Sequence, residues 1–298
     1  MSVALERPVD GTRVGGYFRN PWRRPRILQG ITAAYLFWSL VPVVIAVIFS
    51  FNDGRSRIIW QSFSLRWWMK DPTDSLVHDP AMRAAMIQTY RLAFLVVLIT
   101  VPIGTLFAIG IDRWHGRPAR TANFAMLLSF VVPEIILGVS LYILFTNLLS
   151  FVNLGTPAQT LGLATFQVSY SVVIVRARLL TIGREYEEAA MDLGASPGQA
   201  IRRVLLPLIA PAIMASVALV FADCVDDFVI VNALSGVASS ETLAQKIYSA
   251  SRASPTPEVN AAATVMLVTT TVVVGVGLLI YRRINRGQGG RATDLMQV

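Results

Sequence analysis

The chain has 298 residues, 54% of them hydrophobic and only 15% charged, with a net charge of +8 and a mean hydropathy of +0.56. Soluble domains carry about 25% charged residues, so an ordinary water-soluble enzyme is excluded. A single cysteine, Cys224, excludes an internal disulfide or a thiolate metal cluster, and two histidines, His78 and His115, are too few for a multi-histidine metal site.

Residues 1–26 are polar and Arg-rich. A first apolar run at 27–51 is too long for a signal peptide and lacks a small-residue cleavage site, so it reads as a retained helix. A polar and aromatic loop follows at 52–85, with turn signals at Asp71-Pro72 and Asp79-Pro80 and a tryptophan cluster, Trp60, Trp67 and Trp68, expected to sit at the membrane interface. Further runs at 86–110, 121–149, 160–180, 208–233 and 261–281 are each long enough to cross ~30 Å of hydrocarbon. The expected fold is all-α: a polytopic membrane bundle of six transmembrane helices over 27–285, with short tails at 1–26 and 286–298. Lys and Arg divide eighteen to eight between alternate sides, which predicts that both termini are cytoplasmic. These basic residues flank apolar runs, so the positive charge reports orientation in a lipid bilayer and no nucleic-acid partner. Gly104-x-x-x-Ala108 is a small-residue pair that suits close helix packing.

The segment from Arg176 to Ile213 carries the most information. Tyr186, Ala189, Ala190 and Leu193 recur at helical spacing, with Glu185, Glu187, Glu188 and Asp192 between them. Gly194 stops that helix, Ser196 and Pro197 start another, and Pro207 is expected to open the fifth span. An ordered, acidic helix–glycine–helix suits a groove on another protein better than a lipid surface, where polar faces are usually basic.

Glu188-Ala189-Ala190, three residues, Gly194, nine residues, then Val204-Leu205-Leu206-Pro207 resembles the EAA loop (181–207) of type I ABC-importer permeases, with Val204 in place of isoleucine. Asp226-Asp227-Phe228-Val229-Ile230, Lys246-Ile247-Tyr248, Pro257-Glu258-Val259-Asn260-Ala261 and Pro133-Glu134-Ile135 are similar to permeases of the spermidine/putrescine type. The resemblance implies a non-enzymatic permease subunit in a cytoplasmic (inner) membrane. Its implied partners are two ATP-binding cassette subunits, a second permease chain, different or identical, and an extracytoplasmic solute-binding protein. The sequence contains no phosphate-binding G-x-x-x-x-G-K-[ST] loop, so ATP and Mg are expected on the partner subunits and no cofactor on this chain. Glu188, Ala189, Ala190, Gly194, Leu206 and Pro207 are the implied coupling residues.

Acidic residues in spans are costly and usually face a protein interior or an aqueous cavity. Glu134, Asp223, Asp226 and Asp227 are therefore candidates for a translocation path that attracts a cation. They also have structural readings: Asp227 pairing with Arg91, or Asp226 capping a broken helix. An ion-coupled carrier is a rival reading of the same acids, but it has no need of an EAA-spaced loop. An intramembrane serine protease lacks a histidine within any span.

Overall fold

A computed structural model describes residues 26–56, 58–113, 116–236, 238–253 and 256–294. Among them the regular structure is helical, apart from an isolated bridge between Asn52 and Phe63, with turns and irregular stretches between the helices. Five helices among the described residues are long and apolar enough to cross a membrane: Ile27–Phe49, Pro80–Arg113, Thr156–Ile182, Pro197–Asp226 and Pro257–Ile280. The chain forms two compact units, Met1–Ala46 and Val47–Val298. The described part of the first is most of helix α1 (Arg26–Phe49), whose apolar side chains are exposed all round.

The second unit is built on α2 (Pro80–Arg113), α5 (Thr156–Ile182), α7 (Pro197–Asp226) and α10 (Pro257–Asp294). Asp79 caps α2, accepting from the Ala81 N–H at 2.7 Å, and Pro80 supplies a first position that needs no donor. Helix α5 is the central post, with 67% of its spanning window buried. It meets α2 at the expected small-residue pair: a Cβ on Gly104 would lie 2.5 Å from Ser171 Cβ, and Ala108 is fully buried. Two apolar cores result. One surrounds Val96, Leu163, Cys224, Val225 and Ile230; the other joins Ile109, Val175, Leu179, Leu205 and Ile209.

Four expectations change. The run at 121–149 is not one helix: α3 (Arg117–Val131) and α4 (Glu134–Asn147) flank Val132 and Pro133, both extended. Proline disfavours a helical residue before it and cannot donate to the ladder, so the helix ends there. The run at 208–233 is broken too. Helix α7 stops at Asp226, Asp227 is extended, and a short α8 (Val229–Ala233) follows. The connector thought to begin at Arg176 begins at Gly183, because α5 continues to Ile182. Last, the fifth span begins at Pro197, a short helix and a π turn earlier than expected, and its stretch Leu206–Asp226 has, as expected, Pro207 in its first turn. The missing N–H and the ring of Pro207 displace the ladder, and a π turn at Ile201–Leu205 absorbs the misfit, with the Leu206 N–H donating to Ile201 O.

The segment between α1 and α2 is ordered rather than loose. Trp67 is fully buried and donates to Asn52 O at 2.7 Å, and Trp68 donates to Ser50 O at 3.1 Å. They staple this cap together, which corrects their expected role as interfacial anchors; Trp60 stands against Phe49. Asp71 accepts from the backbone N–H groups of Asp74 and Thr73 and from Arg66 Nε at 2.9 Å. Those bonds, led by the Asp74 amide, hold its carboxyl well below the usual carboxylate range. His78 is bonded to Ser75 at 2.9 Å; His115 lies outside the described residues.

Candidate functional site

At one end of the second unit, α6 (Glu185–Asp192) hangs between two glycines with positive φ, Gly183 (+74°) and Gly194 (+89°). Gly194 closes α6 as a Schellman cap: its N–H donates to Met191 O at 2.9 Å, and that of Ala195 to Ala190 O at 3.0 Å. Ser196 and Gln199 form a reciprocal capping box that starts α7, with Pro197 at its first turn. The local sequence thus folds as its capping residues dictate.

The faces of α6 are reversed from what a packed helix shows. Its apolar members point outward: Leu193 is 90% exposed, Tyr186 55% and Met191 40%. Glu188 and Ala189 are exposed with them, and Ala190 is half-buried. The acid that turns inward is Glu187, 8% exposed, which pairs with Arg113 at the end of α2. Glu187 therefore has a partner inside the chain, whereas Glu188 faces solvent. Within α7, Leu206 is half-buried and Pro207 exposed.

At the other end, the two helix breaks lie together, since α4 packs on α8. A Cβ on Gly138 would lie 3.0 Å from Ala233 Cβ. Glu134 is the first residue of α4, and Asp227 precedes α8 and accepts from the Val231 N–H at 3.1 Å. Asp227, not Asp226, is thus the cap, and Arg91 forms no ion pair with it among the described residues. Asp223, one helical turn before Asp227, accepts from Gln167 of α5. Asp227 lies in the field of Glu134 and Asp223, and Tyr170 in that of Asp223 and Glu134. Three of the four expected acids, all half-buried, therefore share one neighbourhood. Asp226 acts on Asp223 as well but is placed differently. It is exposed and lines a separate cavity of about 640 Å³ with Phe228, Tyr248, Met266 and Thr270.

Past the second break, carbonyls in and beyond short α8 are satisfied by a glutamine from α5, and other amide side chains bond one another's neighbours. Fully buried Gln159 donates to Val231 O at 3.2 Å and to Ser240 O at 3.1 Å. Gln88 donates to Thr156 Oγ1 at 2.8 Å, and Gln245 to Ser235 Oγ at 2.8 Å. Broken helices are tolerated at membrane depth where such partners exist. Gln88, Gln159 and Gln167 were not singled out in the sequence, although a glutamine inside an apolar helix is itself a signal. Arg113 gave none, because its partner lies on a distant helix.

The protein is a multi-pass membrane component of a binding-protein-dependent transporter: residues 100–289 match the model of the family "Binding-protein-dependent transport system inner membrane component", and the chain belongs to it. It is 33% identical over 287 residues to the putrescine transport system permease protein PotI of Escherichia coli K12, covering 94% of this chain and 96% of that one. It is likewise 33% identical to the spermidine/putrescine permease PotC of Shigella flexneri, covering 89% and 98%. Among solved structures, a bacterial ABC transporter that imports the acidic polysaccharide alginate shares the fold, with a TM-score of 0.69 at 18% identity over 88% of this chain and 97% of that one.

Proposed function

We propose that this chain is the translocation subunit of an ATP-driven importer for polyamines of the putrescine/spermidine type. In this reading α3 and α4 together supply a sixth crossing and both termini are cytoplasmic. The observation that carries it is α6, an ordered helix at the end of the bundle with its apolar residues presented outward beside Glu188. A surface of that kind fits a groove on a separate ATPase subunit, and two such subunits carry the ATP and Mg. The remaining partners are a second permease chain, by resemblance a different one, and an extracytoplasmic binding protein.

The geometry supports a rigid-body coupling. As nucleotide draws the ATPases together, α6 moves with the groove that holds Glu188, Ala189 and Ala190. Gly194 allows the sharp turn into α7, and α7 runs unbroken from Pro197 to Asp226. Displacement at its Pro197 end therefore reaches the acids near Asp226 as tilt of a single rod, exchanging inward for outward access. Leu206 and Pro207 travel within that rod.

Glu134, Asp223 and Asp227 supply negative charge where two helices are interrupted, which favours a cationic solute and repels an anionic one. Asp226 opens on the neighbouring cavity and serves as an outer contact. The 33% identity to permeases named for putrescine and spermidine supports this solute class.

The test is uptake of radiolabelled putrescine and spermidine into proteoliposomes that hold this chain with its ATPases, second permease and binding protein. ATP-dependent accumulation of either amine, but not of a matched anion, is expected. ATP-driven uptake of other small solutes alone would reassign the substrate; uptake driven by a proton gradient without the ATPases would overturn the importer reading.

A further inference from the structure

An eight-residue helix is too short to hold its own shape or direction in water. Helix α6 is in addition joined to its neighbours by glycines in the left-handed region at both ends, Gly183 and Gly194. Backbone bonds close the cap at Gly194, but among the described residues none crosses Gly183 into α6, so the backbone alone leaves α6 a swivel at that joint. A swivel does not deliver torque.

A third attachment is present. Arg113, the last residue of α2, pairs with Glu187 of α6 and with its own neighbour Asp112. It also donates from Nη2 to Gly183 O at 3.4 Å, and Arg184 Nη2 donates to Asp112 O at 2.6 Å. The end of α2 and the root of α6 are thus held by links that cross between helices far apart in sequence. The Arg113 and Glu187 side chains are 20% and 11% exposed, so the pair is shielded from solvent and salt.

We propose that Arg113 and Glu187 form a clasp that fixes the rotation of α6 and delivers its motion to α2 as well as to α7. This rests on the reading of α6 as the motor contact. Through the clasp, force applied to one short helix enters the bundle at two points. The first is the Pro197 end of α7. The second is α2, which carries Gly104 and Ala108 against α5. Arg113 and Glu187 are positioning residues: neither faces the solute, and Glu187 does not face the motor.

The test compares Glu187→Gln, Arg113→Gln and the exchange variant Arg113→Glu/Glu187→Arg. In the assembled transporter, each single variant is expected to keep ATP hydrolysis while amine uptake per ATP falls by roughly five- to tenfold. The exchange variant is expected to recover a substantial part. A generic loss of folding would not be restored by reversing two charges. The chain alone, in nanodiscs, gives a second readout. Spin labels at Gly110→Cys and Asp192→Cys report the α2–α6 distance, and the native Cys224 is buried. A narrow distance distribution is expected in the parent and a broad one with Glu187→Gln. An unchanged distribution together with unchanged uptake per ATP would overturn the clasp while leaving the importer reading intact. Absence of ATP-driven uptake in the parent transporter would overturn that reading and the clasp with it.

Discussion

The two ends of the second unit treat charge in opposite ways. At the α6 end, apolar side chains stand in the open and an acid is folded in against Arg113. At the α8 end, acids gather inside and amide side chains close the gaps in the backbone. Each end departs from the usual placement of residues where the proposed function assigns it a task. The α6 end departs in its surface, as a protein interface does; the α8 end departs in its interior, as a solute path does.

Breaking the α6 end is expected to have the largest effect. Gly194 sits at φ +89° with nothing within 4 Å of a Cβ built on it, so a substitution there acts through backbone strain and surface charge alone. Gly194→Asp costs about 1–3 kcal/mol locally. It is expected to leave the chain in the membrane while abolishing uptake with ATP hydrolysis retained. Normal uptake by this variant would remove Gly194 from the coupling role. At the α8 end, Asp223→Asn/Asp227→Asn is expected to lower putrescine uptake by roughly tenfold. Asp226→Asn, in the other cavity, should give a smaller drop. Equal effects of the two changes, measured as initial rates, would merge what the structure separates.

Two smaller changes test the framework that joins the ends. Gly104→Val places atoms where Ser171 already lies, so it is expected to destabilise the α2–α5 contact by about 1–3 kcal/mol. Gly110→Val, facing open space, should not shift the melting transition comparably. Asp71→Asn keeps one acceptor oxygen but removes the charge and the Oδ2 that accepts from Arg66 in the cap between α1 and α2, at about 1 kcal/mol or less. Asp71 titrates in the folded chain below its ordinary value of 3.8. Its contribution is therefore complete above that value and fades only as pH falls through the depressed one. Hydrogen-exchange protection factors across residues 50–56 and 58–79 should be flat with pH near neutrality in the parent, and uniformly lower in the variant.

Apolar runs and capping residues made much of this fold legible. Asp79-Pro80, Gly194 and Ser196-Pro197 act where their chemistry says they should, and Gly104 marks a close helix contact. The two helix breaks were hidden for different reasons. At Pro133 the apolar run continues across the break, and proline is common enough in membrane helices to pass as a kink. At Asp227 no proline or glycine gives warning: the break is held by an Asp227 side chain turned onto Val231 and by Gln159 reaching from another helix. The caps and the glycine turn of the EAA-like segment were readable residue by residue, but the face of α6 was not. Tyr186 and Leu193 have the spacing of a buried stripe, yet the side that turns inward is the one carrying Glu187 to Arg113.

The π turn bears on how far any helical count can be carried along α7. Leu205 is fully buried; counting back four residues reaches half-buried Ile201, whereas counting back five reaches Ala200, which is 1% exposed. The buried edge thus runs straight through the wide turn by spending one surplus residue there. Deleting a residue between 201 and 205 should close the surplus and leave the two stretches in phase. The same deletion beyond Pro211 should instead twist the upper stretch by about 100° and carry Asp223 away from Gln167.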